Sequence, residues 1–304
     1  MAPPWSSPLN INDLTPSFPS LRLPPYRNLS VMSSTRVPPV PAVLRLVQRA
    51  VLGRWRATGE DLYREVARIA EAAPAREILV SGCGTGVAAE WLAARTGASV
   101  TGVDPDPESI ARAEAHARET EQRQLLHYEQ APLDDLPHED EVFDIAIGEP
   151  PLSAAGDPQR AVSELVRVTK PMGSIVLLQP SWTSEIPSDS RDLIVERLGL
   201  QPFLLVRWKQ MLRDAGVVEL QVQDWTSGSP GGRGSSGAEA NGETPRFNLR
   251  QKAQIIGRAW RRWGFGAARG AVERETTLIR ELSRERTIGL QLIKGVKWPH
   301  EKES

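Results

Sequence analysis

The spacing of hydrophobic positions divides the chain into stretches of different period. From Ala42 onward, Val43, Leu46, Val47, Ala50, Val51 and Trp55 recur three and four residues apart, which predicts a helix. Thr58 supplies an N-cap for a second helix carrying Leu62, Val66 and Ile69. The period then shortens. Residues 77–80 form an apolar run entering a glycine cluster, residues 98–103 form another, and a helix around Trp91 and Leu92 lies between them. The alternation continues with a helix opened by Asp106 and Pro107 and running to His116, then strands at 125–129 and 142–147 and a helix at 159–168. It ends with a strand at 174–178, a helix at 202–214 and strands at 217–222 and 288–296. Strands alternating with helices imply a mainly parallel sheet covered on both faces, a doubly wound α/β domain.

Outside this pattern the chain reads differently. Residues 1–41 contain ten prolines and many serines, so they sustain neither a hydrogen-bond ladder nor an apolar face and are expected to be a disordered tail. Met32 within that stretch makes a later translation start as consistent as a functional tail. Residues 42–225 are expected to form the core with its N-terminal helices, 226–245 a flexible glycine- and serine-rich loop, 246–286 a basic amphipathic helical insert, and 287–304 the final strand and tail. In the insert Leu249, Ala253, Ile256, Trp260 and Trp263 share one helical face, while Arg250, Lys252, Arg258, Arg261 and Arg262 occupy others.

Composition narrows the class. The chain has 304 residues, 40% hydrophobic and 25% charged, with no long uncharged apolar run, which excludes a membrane-spanning helix and a wholly disordered chain. One cysteine, Cys83, excludes an internal disulfide and a cysteine-built metal site, and no metal site is expected. Nothing at the N-terminus resembles a secretory signal, so the cytoplasm is the expected compartment. The net charge of −1 conceals an asymmetry: residues 246–304 carry 14 Lys and Arg against 6 Asp and Glu, leaving 23 against 32 elsewhere. A basic insert on an acidic body could pack there, close over a site as a lid, or rest peripherally on an anionic membrane. Nucleic-acid binding is disfavoured, because the insert has no recognised motif and the body is acidic. The oligomeric state is not encoded in any of these features.

Candidate chemistry concentrates at residues 78–86, Ile-Leu-Val-Ser-Gly-Cys-Gly-Thr-Gly, where an apolar strand runs into three glycines spaced two apart. Glycines there let the backbone turn sharply and approach a ligand, and the following helix offers free amides to an acidic group. A purely structural tight turn has the same signature. Asp104 closes the second strand 22 residues after Gly82, which places a carboxylate beside the turn where it could accept hydrogen bonds from both hydroxyls of a ribose. That suits NAD or S-adenosylmethionine. Gly84 is followed by Thr85, Gly86 and Val87, a spacing that departs from the nicotinamide fingerprint.

The ordered set of Val80-Ser-Gly-Cys-Gly-Thr-Gly86, Gly102-Val-Asp104, Leu136-Pro137, Val142-Phe-Asp144 and Val168-Thr-Lys-Pro-Met-Gly173 resembles the class I S-adenosylmethionine-dependent methyltransferases over about residues 77–180. Within that family it is most similar to the small-molecule group that includes ubiquinone and menaquinone biosynthesis methyltransferases, and Gly295-Val-Lys297 is similar to their last strand. The resemblance implies a Rossmann-like, mainly parallel seven-stranded sheet with an antiparallel final strand. It also implies S-adenosyl-L-methionine as cofactor and a small-molecule methyl acceptor, with the Trp-rich insert pointing to an apolar or aromatic metabolite. By that resemblance Ser81, Gly82, Cys83, Gly84 and Gly86 pass the methionine part of the cofactor, with Ser81 in place of an acidic residue common ahead of the glycines. Asp104 holds the ribose, Pro105 and Asp106 flank the adenosine, and Gln130, Ala131 and Pro132 meet the adenine edge, Gln130 standing where an acidic residue is common. Gly148 closes the site at the fourth strand.

Glu149-Pro-Pro-Leu152 has the spacing of the Asn-Pro-Pro-Tyr signature of amino-group methyltransferases, with Glu149 for the amide and Leu152 for the aromatic residue. Glu149 is therefore the candidate catalytic residue, orienting or deprotonating an acceptor, against a helix-capping or solvent-facing carboxylate. Leu152 offers no aromatic face, which counts against nucleobase N-methylation. His127 and His138 are alternative bases that more often are structural, and Asp144 reads first as structural. A non-catalytic cofactor-binding regulatory protein is the alternative that Ser81 and Gln130 raise.

Overall fold

The computed structural model describes residues 59–183, 201–225 and 288–299, with Ser188, Arg191, Asp192, Ile194, Val195 and Gly199 between the first two stretches. The tail, the helix expected from Ala42, the Thr58 cap, the glycine-rich loop and the basic insert lie outside the described residues. The chain passes through α1 (Gly59–Ile69), β1 (Glu77–Ser81), α2 (Val87–Thr96), β2 (Ser99–Asp104), α3 (Pro107–Glu119), β3 (Leu126–Gln130) and β4 (Phe143–Gly148). It continues through α4 (Pro158–Val168), β5 (Thr169–Trp182), β6 (Phe203–Leu204), α5 (Leu205–Asp214), β7 (Val217–Asp224) and β8 (Ile288–Lys297). The strands form one sheet in the order β3-β2-β1-β4-β5-β8-β7, with β6 pairing β5 off this path. β8 runs antiparallel to both β5 and β7, while β1 to β5 pair in parallel.

Alternation within each strand assigns the two faces. Ile78 and Val80 of β1 pack with Leu62 and Val66 of α1, Leu92 of α2 and Ile110 of α3. Leu79, between them, packs on the other side with Leu165 of α4 and with Trp208 and Leu212 of α5. Both faces are therefore dry, as a parallel sheet requires. Local signals set the helix ends: Gly97 in the left-handed region (φ 71°) closes α2, and the Asp157 carboxylate accepts from the Gln159 and Arg160 amides at the start of α4.

Two departures from the sequence expectation have backbone causes. β5 begins at Thr169 instead of residue 174, because Phe143 pairs with Thr169 and Ile145 with Ser174, so Lys170 to Gly173 bulge out of the ladder. The helix expected from Pro202 starts at Leu205, because Phe203 and Leu204 stay extended to pair with Ser181 and Trp182. That short strand makes the sheet eight-stranded instead of seven.

Lys297, at the end of β8, is buried, and its ammonium donates to the Thr169 carbonyl at 2.8 Å and to the Arg167 carbonyl at 3.4 Å, with Glu141 at 3.5 Å. These carbonyls lie at the C-terminus of α4, where a cation also opposes the helix dipole. The last strand is thus tied to the middle of the fold by one buried cation. Lys297→Met is expected to lower the unfolding free energy by about 2–3 kcal/mol, measured by urea denaturation. An unchanged midpoint would show that the contact is incidental.

Candidate functional site

The C-terminal ends of β1, β2, β3 and β4 converge on the glycine turn. Ser81 pairs with Val103 on one side and Gly148 on the other, and Asp104 pairs with Gln130. The turn after Ser81 is held to β2 through its main chain, with the Gly82 and Cys83 amides both donating to the Val103 carbonyl at 2.7 and 3.0 Å. Gly82, Gly84 and Gly86 have φ of 79°, 57° and 85°, a left-handed conformation at three alternate positions that side chains other than glycine resist. Gly86 has a further reason to be glycine: a Cβ there would stand 2.5 Å from the Tyr128 hydroxyl. Tyr128 also fills the space at Gly102, where a Cβ would lie 2.7 Å from its ring. Burial first, then the neighbouring Glu90 and Cys83, push the Tyr128 phenol well above its usual range, so it remains neutral.

Asp104, 5% exposed, accepts from the Gly84 amide at 2.8 Å and from the Asp106 amide at 3.0 Å. Its carboxylate therefore bridges the turn after β1 and the loop after β2. Asp106 caps α3 with its own side chain occupied by the Ser109 hydroxyl at 2.6 Å, and Pro105 beside it is exposed. Gln130 and Pro132 are exposed at the end of β3, with Ala131 buried between them. Cys83 is buried, its thiol 3.7 Å from the Gly84 carbonyl. The Ser81 hydroxyl is buried and has no hydrogen-bond partner among the described residues.

Glu149 follows β4 directly. It is 1% exposed, its amide donates to the Ser81 carbonyl at 2.9 Å, and its carboxylate accepts from the Tyr63 hydroxyl of α1 at 3.1 Å. It is neither solvent-facing nor a side-chain cap of the 3-10 turn Pro150–Ala154 that it precedes. Gln179 of β5 holds the same corner from the other side, its amide nitrogen donating to the carbonyls of Gly148 at 2.9 Å and Glu149 at 2.8 Å. Leu152 is fully buried in the core.

The remaining candidates stand apart. Asp144 opens β4 at the opposite end of the sheet, accepting from the Glu77 amide at 3.0 Å, Lys170 at 3.0 Å and Arg76 at 3.1 Å. Burial raises its pKa, but the hydrogen bonds from Glu77, Lys170 and Arg76 and the Lys170 charge outweigh this and hold it below the usual carboxylate range. Its role is structural. His138 packs edge-on against Phe143 at 5.0 Å, and burial, against Glu129 and together with Arg167, lowers its pKa; His127 is exposed on β3. Sequence reasoning did not single out Tyr63 or Gln179. Tyr63 sits within an apolar helical stripe that disguises its hydroxyl, whereas Gln179 is a polar residue inside a buried run of β5, a signal that was there to find.

Residues 79–177 match the family described as Methyltransferase domain. The chain is 37% identical over 125 residues to an uncharacterized protein of Mycobacterium tuberculosis, covering 37% of this chain and 44% of that protein. It is 28% identical over 156 residues to a glycine/sarcosine/dimethylglycine N-methyltransferase of Actinopolyspora halophila, covering 49% and 28%. The chain thus spans less than half the length of these curated relatives. The crystal structure of the [4+2]-cyclase SpnF is similar with a TM-score of 0.60 at 22% identity, over 79% of this chain and 82% of that one. Strand order and these likenesses identify the fold as the Rossmann-like methyltransferase fold. They support the class I small-molecule resemblance without singling out the ubiquinone and menaquinone group.

The low Asp144 pKa carries a pH consequence. A carboxyl whose folded pKa is depressed contributes stability above its unfolded value of about 3.9 and loses it as pH falls through the folded value. Asp144→Asn is expected to lower the melting temperature at pH 7, with the gap to the parent closing as the pH falls below the ordinary carboxylate range. A gap that persists in acid would mean that the Asp144 charge is not its source.

Proposed function

We propose that this chain is a class I S-adenosylmethionine-dependent methyltransferase that transfers a methyl group in line to a small-molecule acceptor. The observation that carries the reading is the coupling of the left-handed glycine turn to Asp104 at the sheet's C-terminal edge, inside the segment that matches the methyltransferase family. The residues fit the cofactor: the turn carries no side chain at half-buried Gly84, the Asp104 carboxylate that holds this turn is of the type that binds ribose hydroxyls, and the buried Ser81 hydroxyl has bonding capacity that no described residue uses. Bound, S-adenosylmethionine supplies a methyl group already activated on a sulfonium sulfur. The protein's part is then positioning and exclusion of water, which provides most of the acceleration in such a transfer.

In this reading Gly82 to Gly86 pass the methionine end, Asp104 holds the ribose, Asp106 and the Gln130-Ala131-Pro132 segment border the adenosine, and Gly148 borders the cofactor through its main chain, the space of a side chain there being filled by Leu177, Leu152 and Leu165. Glu149, fixed by Tyr63 and by the Gln179 clamp on its carbonyl, orients the acceptor or takes the proton it sheds. The bond formed joins acceptor and methyl carbon, and the pair of the broken sulfur–carbon bond stays on sulfur. Amino-group methylation is the second reading, favoured by the Glu149-Pro-Pro spacing and by the Actinopolyspora halophila relative.

Calorimetric titration with S-adenosylmethionine and S-adenosylhomocysteine tests the cofactor. Asp104→Ala is expected to weaken binding more than tenfold, since carboxylate hydrogen bonds to hydroxyls contribute about 1.5–3 kcal/mol. Because Gly84 and Asp106 also lose their acceptor, the variant should melt lower as well. Gly84→Val is expected to abolish binding, a branched side chain being incompatible with its φ of 57°. Parent-like affinity in both variants would sink the assignment.

A further inference from the structure

The face of the sheet that carries Leu79, Leu177 and Ile293 changes character toward the C-terminal end of β5. Leu177 stands beside Ile293 of β8, and both are buried in the apolar layer against α4 and α5. The next pair on this face is Gln179 beside Gln291, and the one after it is Ser181 beside Gly289. All of these polar side chains are buried, Gln179 at 0% and Ser181 at 1% exposure. A buried polar group is costly unless its hydrogen bonds are made.

Gln179 makes half of them. Both hydrogens of its amide nitrogen go to the carbonyls of Gly148 and Glu149, which fixes the orientation of the amide and turns Oε1 away from them. Oε1 has no donor among the described residues, and the Ser181 hydroxyl, two residues along the same face, has no partner there either. The two atoms lie on the strand whose amide clamps Glu149, at the edge where the proposed transfer takes place. A hydrophobic acceptor would leave both groups unpaired, whereas a molecule with an N–H or O–H group would supply what each lacks.

We propose that Gln179 Oε1 and Ser181 Oγ read the methyl acceptor, and that the acceptor is a water-soluble molecule presenting hydrogen-bond donors, an amine or alcohol, in place of the apolar or aromatic metabolite suggested by the Trp-rich insert. The inference rests on the methyltransferase reading above. Gln179 has two tasks: its nitrogen positions the Glu149 corner, and its oxygen selects the substrate. Ser181 has only the second, which makes it the residue to test.

The experiment uses the full chain, methyl-labelled S-adenosylmethionine and a protein-free metabolite extract split beforehand into water-soluble and ethyl-acetate-soluble fractions. Label is expected to enter the water-soluble fraction. Ser181→Ala is expected to raise the amount of that fraction needed for half-maximal rate by roughly fivefold or more. It should leave the affinity for S-adenosylhomocysteine within about twofold and the melting temperature at or above the parent's, because the deleted hydroxyl is unpaired in the protein. A merely structural serine would instead lower the melting temperature and leave the half-saturation point alone. Label entering mainly the ethyl-acetate fraction, or an unmoved half-saturation point, overturns the inference while the methyltransferase reading stands. Absence of label from both fractions, with S-adenosylhomocysteine still bound, overturns the transfer reading and this inference with it.

Discussion

The Asp104 carboxylate is the interaction on which the upper edge of the domain depends. One oxygen takes the Gly84 amide and the other the Asp106 amide, so a single side chain at the end of β2 fixes the turn after β1 and the start of α3 together. The left-handed conformations of Gly82, Gly84 and Gly86 are tolerable only because glycine pays little for them, and they persist because the Val103 carbonyl and Asp104 collect the amides that such a turn exposes. Tyr128 then packs over Gly86 and Gly102 from β3, so the turn after β1 is braced from β2 and β3 together.

That arrangement explains why so much of the fold was legible in the sequence. Strands buried on both faces must be short apolar runs, and each of the expected runs became a strand, with β8 antiparallel at the position the motif resemblance implied. What was not legible depends on pairing between distant residues. The bulge from Lys170 to Gly173 follows from where Phe143 and Ile145 find partners, and the shift of the helix start to Leu205 follows from the pairing of Phe203 and Leu204 with the end of β5. Neither leaves a trace in local periodicity. The buried role of Lys297 is similarly invisible, since a lysine at a strand end looks like a solvated one until the carbonyls of Arg167 and Thr169 are seen around it.

The candidate site divides in the same way. Glycine spacing and the strand-terminal Asp104 announce themselves because backbone geometry demands those residue types at those intervals. Tyr63 does not, because its hydroxyl finds Glu149 across 86 residues of sequence while its ring serves the apolar face of α1 like any core residue. Glu149 was marked by its Pro-Pro context, but its burial and its contact with Tyr63 come only from the packing of α1 over the end of β4.

The two ends of the sheet show how the polar atoms are allocated. At the N-terminal end the charges saturate one another: Asp144 collects Arg76, Lys170 and the Glu77 amide, and Arg167 donates to Glu164, Asp140 and the carbonyls of Leu136 and His138. At the C-terminal end Ser81, Gln179 and Ser181 are as deeply buried, yet each keeps an oxygen that no described residue satisfies. Leaving bonding capacity there costs stability, and the cost is intelligible if ligands complete those bonds.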